Sequence, residues 1–149
     1  MGKKRRPSRS ASSCDSSRIL ARRKPELIDA NYYRTNDDNE AQRIADEYAA
    51  LNSRARVIAG KLASDQQSPF YQLVHHPIEA MANLHIMYRA VAEGRMDDAK
   101  AAFANDAVIR QRYEGLENGK WQHMMSQTHF SYAGWQQPEV DVMPNAVNW

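Results

Sequence analysis

The side chains best suited to chemistry in this 149-residue chain are its five histidines, its 18 acidic residues and its single cysteine. A metal site needs several His, Cys or carboxylate groups that converge on one point. His123 and His129 are six residues apart, which on a helix separates them by about 240° at roughly 100° per residue. His76 and His85 are nine residues apart and so lie nearly opposite. The spacing therefore predicts no metal site, and nothing in the sequence indicates a cofactor.

Covalent and acid-base catalysis are equally unsupported by the sequence. Cys14 lies in the basic N-terminal region, no serine sits in a nucleophile elbow, and there is no glycine-rich phosphate loop. Glycoside hydrolysis needs two carboxylates that flank one bond, about 5 to 10 Å apart. The acids of this chain fall at predicted helix starts and on solvated faces, and we interpret Asp97 and Asp98 as helix caps. We therefore predict no catalytic residue.

Aromatic and methionine side chains are concentrated in residues 119–138. Side chains of this size must pack on something. We interpret part of this segment as candidates for packing against another domain: Trp121, His123, Met124, Met125, His129, Tyr132 and Trp135. A sugar-stacking platform built from Trp121 or Trp135 is the alternative interpretation.

Charge is divided unevenly along the chain, although its net value is only +2. Residues 1–24 hold nine Lys or Arg and one acid, which gives +8, so the remaining 11 bases and 17 acids give −6. Composition predicts a disordered basic leader over residues 1–18. This leader lacks the apolar stretch of a secretory signal, and the sequence does not indicate a cellular compartment. Two alternatives are open for Lys3 to Arg6: an address signal, or the arm of an independent helical interaction module that binds an acidic partner such as nucleic acid.

The clearest element of secondary structure is an amphipathic helix predicted from Glu40 to Ala63. Its apolar residues alternate spacings of three and four, which places them on one face. These residues are Ala41, Ile44, Tyr48, Leu51, Ala55, Ile58 and Leu62. Residues 36–38 offer N-caps, and residues 66–69 are predicted to form the exit turn.

A second helix is predicted to begin with Ser68 as its cap and to end at Gly94. Its inward side chains are predicted to be Phe70, Val74, Met81, Leu84, Tyr88 and Val91. Pro77 lacks a backbone donor and clashes with the Leu73 carbonyl, so we expect a kink or two short helices.

A third helix is predicted from Asp97 and Asp98 to Tyr113, followed by a turn over residues 115–119. Its inward residues are predicted to be Ala99, Ala102, Phe103 and Ala107. Beyond the turn, residues 121–128 suit a short helix, and the chain then continues as an irregular, extended exit.

Together these elements predict an all-α fold, a small bundle of three to four helices. We divide the chain into the leader (1–18), a helical module (19–145) and an exit toward a further domain (146–149). The three apolar stripes make a marginal core on their own, so part of the surface is expected to need a partner. The longest apolar runs fall far short of the roughly 20 residues that span a bilayer, so no membrane segment is predicted.

Specific residues in the C-terminal part form a recognisable pattern, and others extend it upstream. The C-terminal set is Gly119, Lys120, Trp121, His123, Met124, Met125, Gln127, His129, Tyr132, Trp135, Pro138, Met143 and Pro144. The upstream set is Phe70, Gln72, Leu73, Val74, Pro77, Ala82, Asn83, Leu84, Met87 and Tyr88, preceded by residues 23–27. This pattern resembles glycoside hydrolase family 115, the xylan α-1,2-glucuronidases, over roughly residues 19–145. Phe130 and Ser131 depart from it, since the family usually has an aliphatic residue and glycine there.

The resemblance implies a particular domain context. Enzymes of that family are large multidomain proteins in which a (β/α)-barrel removes 4-O-methylglucuronic acid from xylan with inversion. A helical bundle and a β-sandwich follow the barrel. This chain resembles the bundle alone, so the resemblance transfers no catalytic residue and implies no activity of the chain by itself. The implied partners are the barrel and the sandwich, or a second copy in a homodimer, and nucleic acid is not expected.

Overall fold

The computed structural model describes residue 35, residues 39–130 and residues 138–144. Several predictions fall outside these residues. They are the leader 1–18, the caps at 36–38, the packing residues Tyr132 and Trp135, and the exit 146–149.

Four α-helices form the described part of the chain, and no strand occurs there. They are α1 (Glu40–Ala59), α2 (Ser64–Phe70), α3 (His76–Ala92) and α4 (Met96–Glu114). A π-helical turn (Tyr71–His75) joins α2 to α3. Helix α3 packs against both α1 and α4. The predicted all-α bundle is therefore confirmed.

The apolar stripe of α1 packs as its spacing predicts. Ala41, Ile44, Tyr48, Leu51 and Ala55 are all buried, and they form one core cluster with residues of α3. The helix ends earlier than predicted, since Gly60 is its C-cap. Ile58, which the stripe places inward, lies in the last turn and is 38% exposed.

The exit turn predicted at residues 66–69 is wrong. Those residues lie inside α2, which begins at Ser64, and the turn occupies residues 60–63 instead. Pro69 is the sixth of the seven residues of α2, so its missing N–H removes one helical hydrogen bond, and α2 gives way to the π-helical turn after one further residue. None of the residues of α2 is buried, so no apolar spacing marks this helix in the sequence.

The predicted interruption at Pro77 takes the form of a π-helical turn. The backbone N–H of His76 donates to the carbonyl of Tyr71, five residues earlier. Pro77 then occupies the start of α3, where its missing N–H removes no hydrogen bond of that helix. Helix α3 ends before Gly94, whose φ of 72° is readily adopted only by glycine.

Helix α4 differs from its prediction at its start and on its inner face. Arg95 is the N-cap, and Asp97 and Asp98 lie in the first turn without capping hydrogen bonds. Ala99 and Ala102 are buried as predicted, but Ala107 is exposed. The buried residue in the later part of the helix is Ile109.

The chain after α4 turns sharply. Leu116–Gly119 contains two non-glycine residues in the left-handed region, Glu117 and Asn118, which confirms the predicted turn. The short helix predicted over residues 121–128 is wrong, since residues 121–125 form successive turns closed by single hydrogen bonds such as Met124 N–H to the Trp121 carbonyl.

A second core cluster lies between α3 and α4. It is formed by the buried residues Leu84, Met87, Tyr88, Ala90, Val91, Ala99, Ala102 and Phe130. Phe130 thus anchors the C-terminal segment to the bundle. In the described part of the chain, no helix combines the length and the apolar character needed to cross a membrane.

Candidate functional site

A cavity of about 250 Å³ opens where α3, α4 and the C-terminal segment meet. We call it the α3–α4 cavity. Most of its wall is apolar and is formed by Ala80, Met81, Leu84, Ile109, Met125 and Phe130. Four polar residues complete the lining: His76, Asp106, Arg110 and His129. Concave, mostly apolar sites with a few polar groups are the usual form of small-molecule sites.

The polar side of the cavity is organised by a pair of residues far apart in sequence. His129 Nδ1 lies 2.7 Å from Asp106 Oδ2. Helix α4 holds Asp106 in place, and His129 comes from the irregular segment. The hydrogen bond to Asp106 raises the pKa of His129, and it outweighs the opposing effect of burial. The imidazolium form is therefore favoured, and the pair joins the segment to the bundle by a charge-assisted hydrogen bond.

Asp141 fixes the backbone of the same segment. Its Oδ1 accepts the backbone N–H groups of His129 and Phe130 at 2.6 and 2.7 Å. The Thr128 hydroxyl donates to the carbonyl of Pro138 at 3.1 Å. Residues 128–130 and 138–141 are thus held side by side, which orients His129 toward the cavity.

His76 faces the cavity from the first turn of α3 and behaves differently from His129. Burial lowers the pKa of His76, so its neutral form is favoured near neutral pH. Its ring packs against Tyr113, with the ring centroids 4.7 Å apart. The pKa values of the two histidines of one cavity are therefore shifted in opposite directions, because burial dominates at His76 and the hydrogen bond to Asp106 dominates at His129.

Arg110 is the remaining charged residue of the lining, and it is half-buried. Its Nε is inaccessible to solvent and has no hydrogen-bond partner among the described residues. No described carboxylate lies within ion-pair distance of its guanidinium. A buried donor without an acceptor is unfavourable, and the charge of the guanidinium has no ion-pair partner among the described residues.

A second buried polar centre lies around Glu79 and has a different character. Arg112 donates to both carboxylate oxygens of Glu79 at 2.6 and 2.8 Å, and the Tyr71 hydroxyl donates at 2.9 Å. Arg56 of α1 approaches at 3.5 Å. Burial would raise the pKa of Glu79, but the hydrogen bonds from Arg112 and Tyr71 hold it below its ordinary value. We interpret this centre as structural because its partners tie three helices together.

The residues predicted to pack against another domain divide into two groups. Met125 and His129 line the cavity, and Trp121 is partly buried. His123 and Met124 are exposed, Met124 at 57%. The Lys120 ammonium lies 5.0 Å from the centre of the Trp121 ring, within the range of a cation–π contact. The structure therefore brings part of this set onto the bundle and leaves part facing solvent.

Sequence reasoning missed four residues of the site: Asp106, Arg110, Phe130 and Asp141. Asp106 and Asp141 were not singled out because they lie 23 and 12 residues from His129, beyond any local spacing rule. Phe130 stands out in the sequence only as a departure from the family pattern, yet it is 3% exposed and fills the second core. A large aromatic residue next to a histidine in an otherwise irregular segment was the available signal.

The two buried carboxylates described above are both held by other side chains: Asp106 by His129, and Glu79 by Arg112 and Tyr71. In the described ranges, no three His, Cys, Asp or Glu side chains are grouped to hold a metal ion.

Comparisons with protein-family models and with curated proteins identify no relative of this chain. No protein-family model matches the sequence, and a search of curated proteins finds no match either. The resemblance to glycoside hydrolase family 115 therefore stays a prediction.

Proposed function

We propose that this chain is a helical scaffold module of the kind found in xylan α-1,2-glucuronidases, and that it supports a catalytic domain rather than acting on xylan itself. The observation that carries the proposal is the two-sided C-terminal segment. Met125, His129 and Phe130 pack onto the bundle, while Met124 and Val140 are each more than half exposed.

A segment with apolar side chains on both of its sides is suited to lie between two domains. Some of these side chains pack against α3 and α4, whereas Met124, Val140 and Val142 remain exposed. Burial of such side chains is worth about 25 cal/mol for each Å² removed from water. We infer that a neighbouring domain of a larger polypeptide covers this side, as the family resemblance implies.

The first test is the intact mass of the native gene product in its source cells. The proposal predicts a mass well above the 17.0 kDa of this chain. A native product near 17.0 kDa would contradict it. The purified chain is also expected to release no 4-O-methylglucuronic acid from glucuronoxylan above a buffer control.

A second test examines the exposed side directly. If Met124, Val140 and Val142 form an uncovered interface, the isolated chain should self-associate in sedimentation experiments. The triple change of these residues to serine should reduce this association. The control is Leu73→Ser, which alters an apolar residue outside the segment that is even more exposed, at 79%, and should leave association unchanged. Equal effects of both variants would contradict the assignment of the interface.

A further inference from the structure

The α3–α4 cavity has the size and lining of a site for a small organic molecule. A cavity of about 150 Å³ lined by apolar side chains is large enough to bind benzene, and this one measures about 250 Å³. It therefore has room for one aromatic ring with a short chain. Its wall comes mainly from α3 and α4, which are rigid elements that preform the shape.

One charged residue of the cavity lining has no ion-pair partner within the described chain. The carboxylate of Asp106 is paired with His129 at 2.7 Å, which leaves Arg110 as the lining cation without a described partner. Two other arginines of the bundle are compensated. Arg112 is paired with Glu79, and Arg95 with Glu93.

We propose that the α3–α4 cavity binds a small carboxylate with an apolar body about the size of one aromatic ring, and that Arg110 pairs with the carboxylate. An arginine and a carboxylate make strong charge-assisted hydrogen bonds because their geometries match. The apolar wall of Met81, Leu84 and Ile109 receives the ring. This proposal does not depend on the family resemblance or on the scaffold function.

Other classes of ligand fit the cavity less well. A cation would be repelled by Arg110, and the carboxylate of Asp106 is already engaged by His129. A sugar would leave its hydroxyl groups without partners against the apolar wall, which is unfavourable. A neutral hydrocarbon would fill the volume but would leave Arg110 without an acceptor.

The test uses the full chain labelled with ¹³C at its methionine methyl groups, and the probe is 4-phenylbutyrate. Met81 and Met125 line the cavity, so their methyl resonances should shift on titration. Met124 is exposed beside Met125, and Met87 is buried in the second core. These two methyl groups are internal controls and should not shift.

Two further compounds separate charge from shape. 4-Phenylbutan-1-ol has the same ring and chain without the charge, and glucuronate has the charge without the apolar body. We expect 4-phenylbutyrate to bind at least about tenfold more tightly than either, as measured by calorimetry. If glucuronate binds as well as 4-phenylbutyrate, the apolar part of the proposal is wrong.

Variants test the role of Arg110. Arg110→Met should weaken 4-phenylbutyrate binding by about tenfold and leave the binding of the alcohol unchanged, which also shows that the variant is folded. The control, Arg43→Met, removes an exposed arginine of α1 and should have no effect. The proposal is overturned if the Met81 and Met125 methyl groups do not shift at about 10 mM probe, or if both variants weaken binding equally.

Discussion

Replacing Glu79 by glutamine tests whether the buried polar centre holds the bundle together. Glu79 is 5% exposed, and its carboxylate accepts hydrogen bonds from Arg112 and Tyr71. Glutamine keeps the size and one acceptor oxygen but removes the charge. The change therefore isolates the electrostatic part of the contact between α3 and α4.

The expected loss of stability follows from the exposure of the partners. Hydrogen bonds to charged groups contribute about 1.5 to 3 kcal/mol each, and breaking a fully buried ion pair costs about 3 to 5 kcal/mol. The side chain of Arg112 is 48% exposed, so water can solvate its guanidinium in the variant. We therefore expect the free energy of unfolding to fall by about 2 kcal/mol, toward the lower end of these ranges. For a domain of this size, that lowers Tm by about 10 °C.

The assay is urea denaturation followed by circular dichroism, with Glu47→Gln as the control. Glu47 is an exposed glutamate of α1, and its replacement should change the free energy of unfolding by less than about 0.5 kcal/mol. If Glu79→Gln is no more destabilising than Glu47→Gln, the centre does not stabilise the fold and our reasoning is refuted.

The effect of Glu79→Gln on the free energy of unfolding depends on pH. The pKa of Glu79 is lowered in the folded state, so its carboxylate contributes full stability above the unfolded value of about 4.5. This contribution is lost as the pH falls through the lower folded pKa. The difference in stability between wild type and Glu79→Gln should therefore be constant near neutral pH and shrink in acid. A difference that grows in acid would contradict the assignment.

The remaining predictions concern the C-terminal segment, two glycines and two arginines. The pKa of His129 is raised in the folded state, so its stabilisation relative to His129→Gln should be complete below about pH 6.5 and disappear as the pH rises through the folded value, measured by urea denaturation at several pH values. Gly94→Ala should destabilise by about 1 to 2 kcal/mol because φ is 72°; Gly60→Ala, at an ordinary φ, should be neutral or stabilising by up to about 1 kcal/mol in the same assay. Arg112→Met should lower stability by about 2 kcal/mol and leave 4-phenylbutyrate binding intact. Arg110→Met should weaken 4-phenylbutyrate binding and leave stability unchanged. If both variants lose stability, or both lose binding, the two roles are assigned wrongly.

The fold was predictable where apolar residues repeat at helical spacing. Helix α1 is the best example, since Tyr48 and Leu51 are buried as their spacing predicts. Helix α2 was not predictable in this way because its sequence, from Ser64 to Gln67, is polar and none of its residues is buried. Helix α2 continues directly into the π-helical turn and α3. This continuity leaves no periodic apolar pattern in the sequence.

Prediction of the inner face of α4 was less accurate for a related reason. Alanines occur on several sides of this helix, so small apolar residues alone do not define which side is inward. Ala107 was assigned inward but is exposed, whereas Ile109 is buried. The choice is made by the C-terminal segment, which returns across α4 and places Phe130 beside Phe103, with ring centroids 5.5 Å apart.

The candidate site depends on contacts that join distant parts of the chain. Trp121, Met125 and His129 were identified from their local density, and two of these line the cavity. Their partners were not identified because Asp106 and Arg110 look like ordinary charged residues on a helix surface. Only the return of the segment onto α4 distinguishes them from solvated side chains.

Helix α3 is what allows the structural and the candidate binding roles to coexist in so small a bundle. Glu79 and Ala80 are adjacent, yet Glu79 is directed to Arg112 and Tyr71 while Ala80 lines the cavity. On α4, Arg112 completes the buried centre, and Arg110 remains without a described partner. The ion pair of Glu79 with Arg112 stabilises the contact between α3 and α4, and the second core cluster also holds these two helices together. Loss of the ion pair is therefore expected to weaken the bundle without closing the cavity, because the residues that line the cavity are not its partners.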